Sequence, residues 1–282
     1  MKKSALLFLL VIVVCGCKQQ AKKEQDKNLS EGYTLVWSDE FDQDGKPDPA
    51  KWMFEEGFVR NKEPQWYQAD NAYVKDGLLV IEGKRERKLN TNYEEGSDDW
   101  RKNQEYAEYT SSCVKTMGLH EWLYGRFEVK AKIPAVKGSW PAIWFVGNKP
   151  KMGQWPLCGE IDLMEYYLVK GEPTILANAC WGPWDSSHWP MTHFLEKDAE
   201  WESKFHVWRM DWDKDFIRLY LDDELLNEVD LSKTINRDGT NPFHHPQHLL
   251  LNLAIGATGG DPSQTTFPLF YEIDYVRVYQ KL

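Results

Sequence analysis

The 282-residue chain predicts an all-β fold, a single sandwich of two sheets. Three observations carry that expectation. From Tyr33 onward, short runs rich in β-branched and aromatic residues alternate with Gly, Pro and Asp turn signals. Period-two alternation runs through Arg126-Phe127-Glu128-Val129-Lys130-Ala131-Lys132-Ile133 and again through Phe216-Ile217-Arg218-Leu219-Tyr220-Leu221, the mark of half-buried strands. No segment sustains a 3.6-residue apolar period over three turns, and no internal repeat is present. Many strands with little helix mean a sandwich or barrel.

The chain opens on an address. Lys2 and Lys3 precede the apolar run Ala5–Val14, the pattern of a secretory signal. That run is far shorter than the roughly 20 residues a membrane-spanning helix needs. Val14-Cys15-Gly16-Cys17 resembles the lipobox of bacterial lipoproteins, which implies cleavage before Cys17 and a lipid anchor on it; plain secretion is the alternative. Lys18–Glu31 is polar and lysine-rich and reads as a flexible tether. Residues 1–16 are therefore expected to be a signal peptide, 17–32 a tether and 33–282 one domain. The expected location is a bacterial membrane, the outer membrane or the cell surface, reached through the lipid alone.

With 44 acidic against 34 basic side chains, the net charge is −10 and no basic run stands out, which argues against nucleic acid as a partner. The hydrophobic share, 42%, is too high for a disordered chain. Cys113, Cys158 and Cys180 show no C-x-x-C spacing and are expected to be buried small hydrophobes. Strands are expected at Leu78–Glu82, Arg126–Ile133, Ile217–Leu221, His248–Ile255 and Tyr271–Tyr279, each beside a turn signal or a chain end. Trp37, Trp52, Trp208 and Trp212 belong to the core by this reading, and a monomer is expected.

The informative stretch is Trp155-Pro156-Leu157-Cys158-Gly159-Glu160-Ile161-Asp162-Leu163-Met164-Glu165-Tyr166. On a strand Glu160 and Asp162 share a face, while Glu165 falls one residue late. A single β-bulge between Asp162 and Glu165 would return Glu165 to that face. Three carboxylates in a row repel one another and serve no core. They suit glycosidic bond cleavage, in which one carboxyl attacks and another first gives and then takes a proton. A solvated acidic face or a calcium site is the alternative that spacing alone leaves open.

Glu160-Ile161-Asp162-Leu163-Met164-Glu165 resembles the bulged E-x-D-x-x-E signature of glycoside hydrolase family 16. The likeness extends from Leu35 to Gln280. It takes in Leu35–Phe41, Asn61–Tyr67, Tyr124–Glu128, Ser139–Trp144, Phe205–Trp208, Leu251–Gly256 and Tyr271–Tyr279. It implies a β-jelly-roll of two curved antiparallel sheets with a cleft on the concave face, and an endo-acting, retaining hydrolase without a catalytic cofactor. By resemblance Glu160 is the nucleophile, Glu165 the acid/base and Asp162 the assisting carboxylate. Glu40 and Asp274 match the side chains that hold a structural calcium in some members, with a ladder or solvent role as the alternative.

Trp140 and Trp144 fall in the family's sugar-binding block and are expected to be platforms for pyranose rings. Asn61 and Glu63 match loop residues that bond sugar hydroxyls. Trp155 and Trp181 are further substrate-binding candidates, and Trp181, Trp184 and Trp189 are expected to line one wall within an irregular stretch, Trp181–His193. His188, His193, His244, His245 and His248 read as surface or cleft-rim groups. The Trp140–Trp144 and Trp155–Glu160 blocks most resemble the β-1,3-glucanase branch, so the expected substrate is a β-1,3- or mixed β-1,3/1,4-glucan. Three features depart from that branch: Cys113 where it often has Arg after Tyr-Thr-Ser-x, the loop Gly256–Pro262, and Trp181–His193. They keep open an endo-β-galactosidase acting on keratan, mucin O-glycan or algal galactan chains. A non-catalytic glycan-binding lipoprotein is a more remote reading, which the intact carboxylate set opposes.

Overall fold

Nineteen strands form among residues 31–148 and 153–281, which the computed structural model describes. The segments expected to be a signal peptide and, as far as residue 30, a tether, with Cys17, lie outside them. In order they are β1 (Thr34–Asp39), β2 (Met53–Phe54), β3 (Gln65–Tyr67), β4 (Ala72–Lys75), β5 (Leu78–Gly83), β6 (Lys88–Leu89) and β7 (Tyr106–Ala107). Next come β8 (Tyr109–Ser111), β9 (Cys113–Lys115), β10 (Gly125–Lys132), β11 (Ser139–Gly147), β12 (Glu160–Val169) and β13 (Glu172–Cys180). The rest are β14 (Trp184–Pro190), β15 (His206–Trp212), β16 (Phe216–Leu221), β17 (Glu224–Asp230), β18 (Gln247–Ile255) and β19 (Leu269–Gln280). One short helix, α1 (Met191–Leu195), follows β14.

Two large antiparallel sheets result. One runs β17-β16-β15-β10-β19-β5-β4 with β1 also on β19, and the other runs β14-β13-β12-β11-β18-β9-β2. Their inner faces interdigitate: Phe127, Val129, Trp208, Met210, Leu219, Val276 and Val278 meet Phe145, Ile161, Ile175, Ala177, Leu249 and Leu251 in one core. Each large apolar side chain buried there contributes about 1.5–3 kcal/mol, so the alternation seen in sequence is what fuses the sheets. Trp52, Trp208 and Trp212 are buried as expected, and Trp37 packs on the core from its margin. Cys113, Cys158 and Cys180 are buried free thiols.

The outer face of the first sheet is laced with ion pairs. Glu40 accepts from Arg277 Nε and Nη2 at 2.9 and 2.8 Å, and Asp274 lies 2.6 Å from Lys130 Nζ. A calcium ion takes six to eight oxygens and competes poorly where each carboxylate already holds a cation. Glu40 and Asp274 are engaged in a charge ladder, the alternative reading of these two side chains. Among the described residues no group of three or more His, Cys, Asp or Glu is arranged to hold a metal ion.

The stretch read as irregular, Trp181–His193, is also corrected: most of it is the regular edge strand β14, paired with β13 from Thr174↔Pro190 to Cys180↔Trp184. Its alternating exposure turns Trp184, Ser186 and His188 outward. The motif escapes notice because both faces carry polar residues, so no apolar alternation marks it.

Candidate active site

β12 lies between β13 and β11 in the second sheet, and its outward side chains sit on that sheet's outer face. Its register shifts between Asp162 and Glu165: Asp162 faces Asn178 and Glu165 faces Leu176, three residues against two. The same offset appears on the other side, where Asp162 pairs with Trp144 and Met164 with Ile143. This is the one-residue bulge that the sequence requires, and it sends Ile161, Leu163, Met164 and Tyr166 into the core. Glu160, Asp162 and Glu165 are left on one face. Directly paired residues share that face, so Val146 and Cys180 flank Glu160, Trp144 and Asn178 flank Asp162, and Ala142 and Leu176 flank Glu165.

Asn178 ties two of the acids together. Its Nδ2 donates to Asp162 Oδ2 at 3.2 Å and to Glu165 Oε2 at 3.1 Å, while Trp140 Nε1 donates to Glu165 Oε1 at 2.9 Å. Burial pushes the Glu165 carboxyl up to about 7, against those donors, which favour its ionised form. Asp162, 2% exposed, is held well above the usual carboxylate range by burial and then by the charges of Glu165 and Glu160. Glu165 can thus carry a proton near neutral pH and give it up at a cost its environment has already tuned, as an acid that must later act as a base requires.

A second network runs beside the first. Trp144 Nε1 donates to Asn252 Oδ1 at 2.7 Å, Asn252 Nδ2 donates to the Tyr67 hydroxyl at 3.1 Å, and that hydroxyl donates to Glu63 Oε2 at 3.3 Å. Glu63 also accepts from Gln65 Nε2 at 2.7 Å and from Asn61 Nδ2 at 3.0 Å, and burial raises its pKa. Asn61 and Lys62 hold φ of 55° and 53° and Glu63 N donates to Arg60 O at 3.1 Å, a tight turn that sets Arg60 and Glu63 at its two ends.

The tryptophans divide. Trp140 and Trp144 lie on the site face as expected, each with its indole N–H committed to the networks above. Trp155, 47% exposed, pairs with Trp184, 49% exposed, at 6.5 Å between ring centroids, beside the Glu160 end of β12. Trp181 is partly buried: its ring packs edge-on against Phe243 at 6.2 Å on the core margin, because it follows Cys180 where the strand turns. Trp189 is likewise inward, donating to Leu226 O at 3.2 Å. His248 is buried on the row of Val146, not a rim group.

Sequence reasoning missed Asn178, the role of Asn252, and Arg60 with its partners Glu55 and Lys115. The two amides did leave a signal, each being a lone polar residue inside an apolar strand (Ile175-Leu176-Ala177-Asn178-Ala179 and Leu250-Leu251-Asn252-Leu253-Ala254). Buried amides persist where they have partners.

A two-sheet sandwich whose outer face carries one tuned acid, an adjacent carboxylate on the same strand and flanking indoles defines a carbohydrate-cleaving hydrolase of the two-carboxylate kind. The family description Glycosyl hydrolases family 16 matches residues 64–277. The chain is 32% identical over 295 residues to a β-glucanase of Rhodothermus marinus, covering 97% of this chain and 93% of that one. It superposes with a TM-score of 0.79 and 35% identity on a structure from work on endo-acting O-glycanases with which prominent members of the human gut microbiota initiate mucin breakdown, covering 89% of this chain and 91% of that one. The catalytic domain of an endo-1,3-β-glucanase (laminarinase) from Thermotoga petrophila follows at a TM-score of 0.74 and 34% identity, covering 88% and 98%. The chain belongs to glycoside hydrolase family 16 and is an endo-acting, retaining glycosidase.

Proposed function

We propose that the protein hydrolyses internal linkages of a β-1,3- or mixed β-1,3/1,4-glucan, with Glu160 as nucleophile, Glu165 as acid/base and Asp162 as the assisting carboxylate. The observation that carries the roles is the placement of Glu165: it is the carboxyl that burial lifts to about 7 while two donors hold both its oxygens. What supports glucan is the β11 block with Trp140 and Trp144 on the site face, together with the likeness to the Rhodothermus marinus and Thermotoga petrophila enzymes. A second reading, a galactose-containing chain of keratan, mucin or algal type, is favoured by the exposed Trp155–Trp184 pair on the β14 side and by the likeness to the O-glycanase structure. Incubation with laminarin, mixed-linkage glucan and a poly-N-acetyllactosamine or mucin glycan separates the two. Glucose oligomers are expected; oligosaccharides ending in galactose would give the second reading, and no cleavage of any would overturn both.

We also propose that Cys17 anchors the chain to a bacterial membrane, the outer membrane or cell surface, through lipid. Acyl chains on one cysteine suffice for stable attachment when there are two or more. Recovery of Cys17→Ala in the membrane fraction at the wild-type level would refute this.

A further inference from the structure

Position 113 is a fully buried cysteine where the resembling β-1,3-glucanase branch often carries arginine on the strand. A guanidinium nevertheless reaches this part of the site, carried by a loop. Arg60, on the loop before β3, lies over the Trp144 ring with its central carbon 5.1 Å from the centroid, and 5.8 Å from that of Tyr67. Its charge is felt at Cys113 and at Glu63. We propose that Arg60 is a substrate-binding residue that sets which hexose the cleft accepts, a loop-borne guanidinium in place of the strand-borne one; this rests on the carbohydrate reading above.

Arg60 is clamped rather than loose. Nη2 donates to Glu55 Oε2, whose other oxygen lies 3.4 Å from Lys115 Nζ. Burial raises the Glu55 carboxyl, but Arg60 and Lys115 outweigh it and hold it below the usual range, so the clamp stays ionised. The backbone is clamped too: Arg101 Nε and Nη2 donate to Val59 O at 3.2 and 3.1 Å, and Trp100 packs on Phe58 beside Trp66. The turn that follows puts Lys62 at φ 53°, a left-handed conformation strained for a side-chain-bearing residue, which surrounding contacts must sustain.

The clamp leaves donors over. A guanidinium offers five N–H groups in a fixed fork, and among the described residues only the Nη2 edge of Arg60 meets a protein acceptor. Its side chain is 22% exposed on the site face. The local charges balance, with Arg60 and Lys115 against Glu55 and Glu63, so there is no surplus cation to draw a sulfate or carboxylate substituent. The free edge suits a pair of neighbouring neutral oxygens, such as hydroxyls of a hexose resting against Trp144. Because the fork is rigid, it distinguishes hexoses that differ in the orientation of one hydroxyl.

Steady-state kinetics of wild type, Arg60→Gln and Arg60→Lys on laminarin and poly-N-acetyllactosamine oligosaccharides test this. Both variants are expected to raise KM on the preferred chain about 10-fold or more, with kcat within about 3-fold, and to change the ratio of kcat/KM between the two chains at least 10-fold. Lysine keeps the charge against Glu55, so it preserves the clamp if glutamine does not fold, yet it lacks the fork. The exchange Arg60→Gly with Cys113→Arg is expected to shift preference toward laminarin relative to Arg60→Gly alone. Equal losses on both chains, or an unchanged KM, would make Arg60 structural and overturn the proposal. A wild-type enzyme that cleaves neither chain overturns the glycanase reading itself, before any variant is compared.

Discussion

Replacing Glu160 with Ala is expected to lower turnover by about three to six orders of magnitude while leaving the fold intact. Glu160 is half-buried on the outer face of β12, and the core beneath is built by Ile161, Leu163 and Met164, so truncation opens no cavity between the sheets. What is lost, on the roles proposed above, is the atom that attacks the anomeric carbon. Without it the glycosyl–enzyme intermediate cannot form, and water alone would have to displace the leaving group. Circular dichroism and thermal unfolding should match wild type. Activity within about 10-fold of wild type would remove Glu160 from the chemistry.

Glu165→Gln is expected to be nearly as damaging, about 10²–10⁴-fold, and in a way that identifies the acid. Glutamine keeps one acceptor oxygen for either Trp140 or Asn178, turns its own NH2 toward the other, and cannot pass a proton to the leaving oxygen. Substrates whose leaving group is an acidic phenol need no such proton, so their first step should fall far less. The wild-type rate should decline as pH rises through about 7, where Glu165 loses its proton, and that alkaline limb should be missing from the variant. Stability carries the same sign. The folded carboxyl titrates higher than an unfolded one, so the folded state gains at low pH and loses that gain as pH rises through about 7. Glutamine does not titrate, so the melting temperature of the variant relative to wild type should rise by a few degrees between pH 4 and pH 8. An intact alkaline limb, or a melting-temperature difference that does not change between pH 4 and pH 8, would assign the proton to another group.

How much of this could be seen in the sequence depends on what each feature needed. Glu160, Asp162 and Glu165 and the bulge between them followed from counting along one strand, since a two-residue period and one extra residue are local facts. The strands at Leu78–Glu82, Arg126–Ile133, Ile217–Leu221, His248–Ile255 and Tyr271–Tyr279 all appear, with ends within two residues for the same reason. Asn178 was out of reach because its meaning lies in register: it matters only once β13 sets it opposite Asp162. Trp181 and Trp184 show the same limit from the other side. Both are tryptophans of one stretch, and only the pairing Cys180↔Trp184 decides that Trp184 turns to the site while Trp181 turns to Phe243. Arg60 joins groups from three separate segments, Glu55, Lys115 and Trp144, which no spacing rule connects. The charge partners of Glu40 and Asp274, Arg277 and Lys130, lie far off in the chain and meet them only through the folding of the sheet.

The most direct test of the central claim, a two-step displacement by Glu160 and Glu165, is the anomeric configuration of the first product released, followed by proton NMR before mutarotation. Two successive inversions return the starting geometry, so a β-linked chain should release a β-anomer. An α-anomer as the initial product would mean that water attacks directly, and would contradict the assignment of Glu160 as nucleophile.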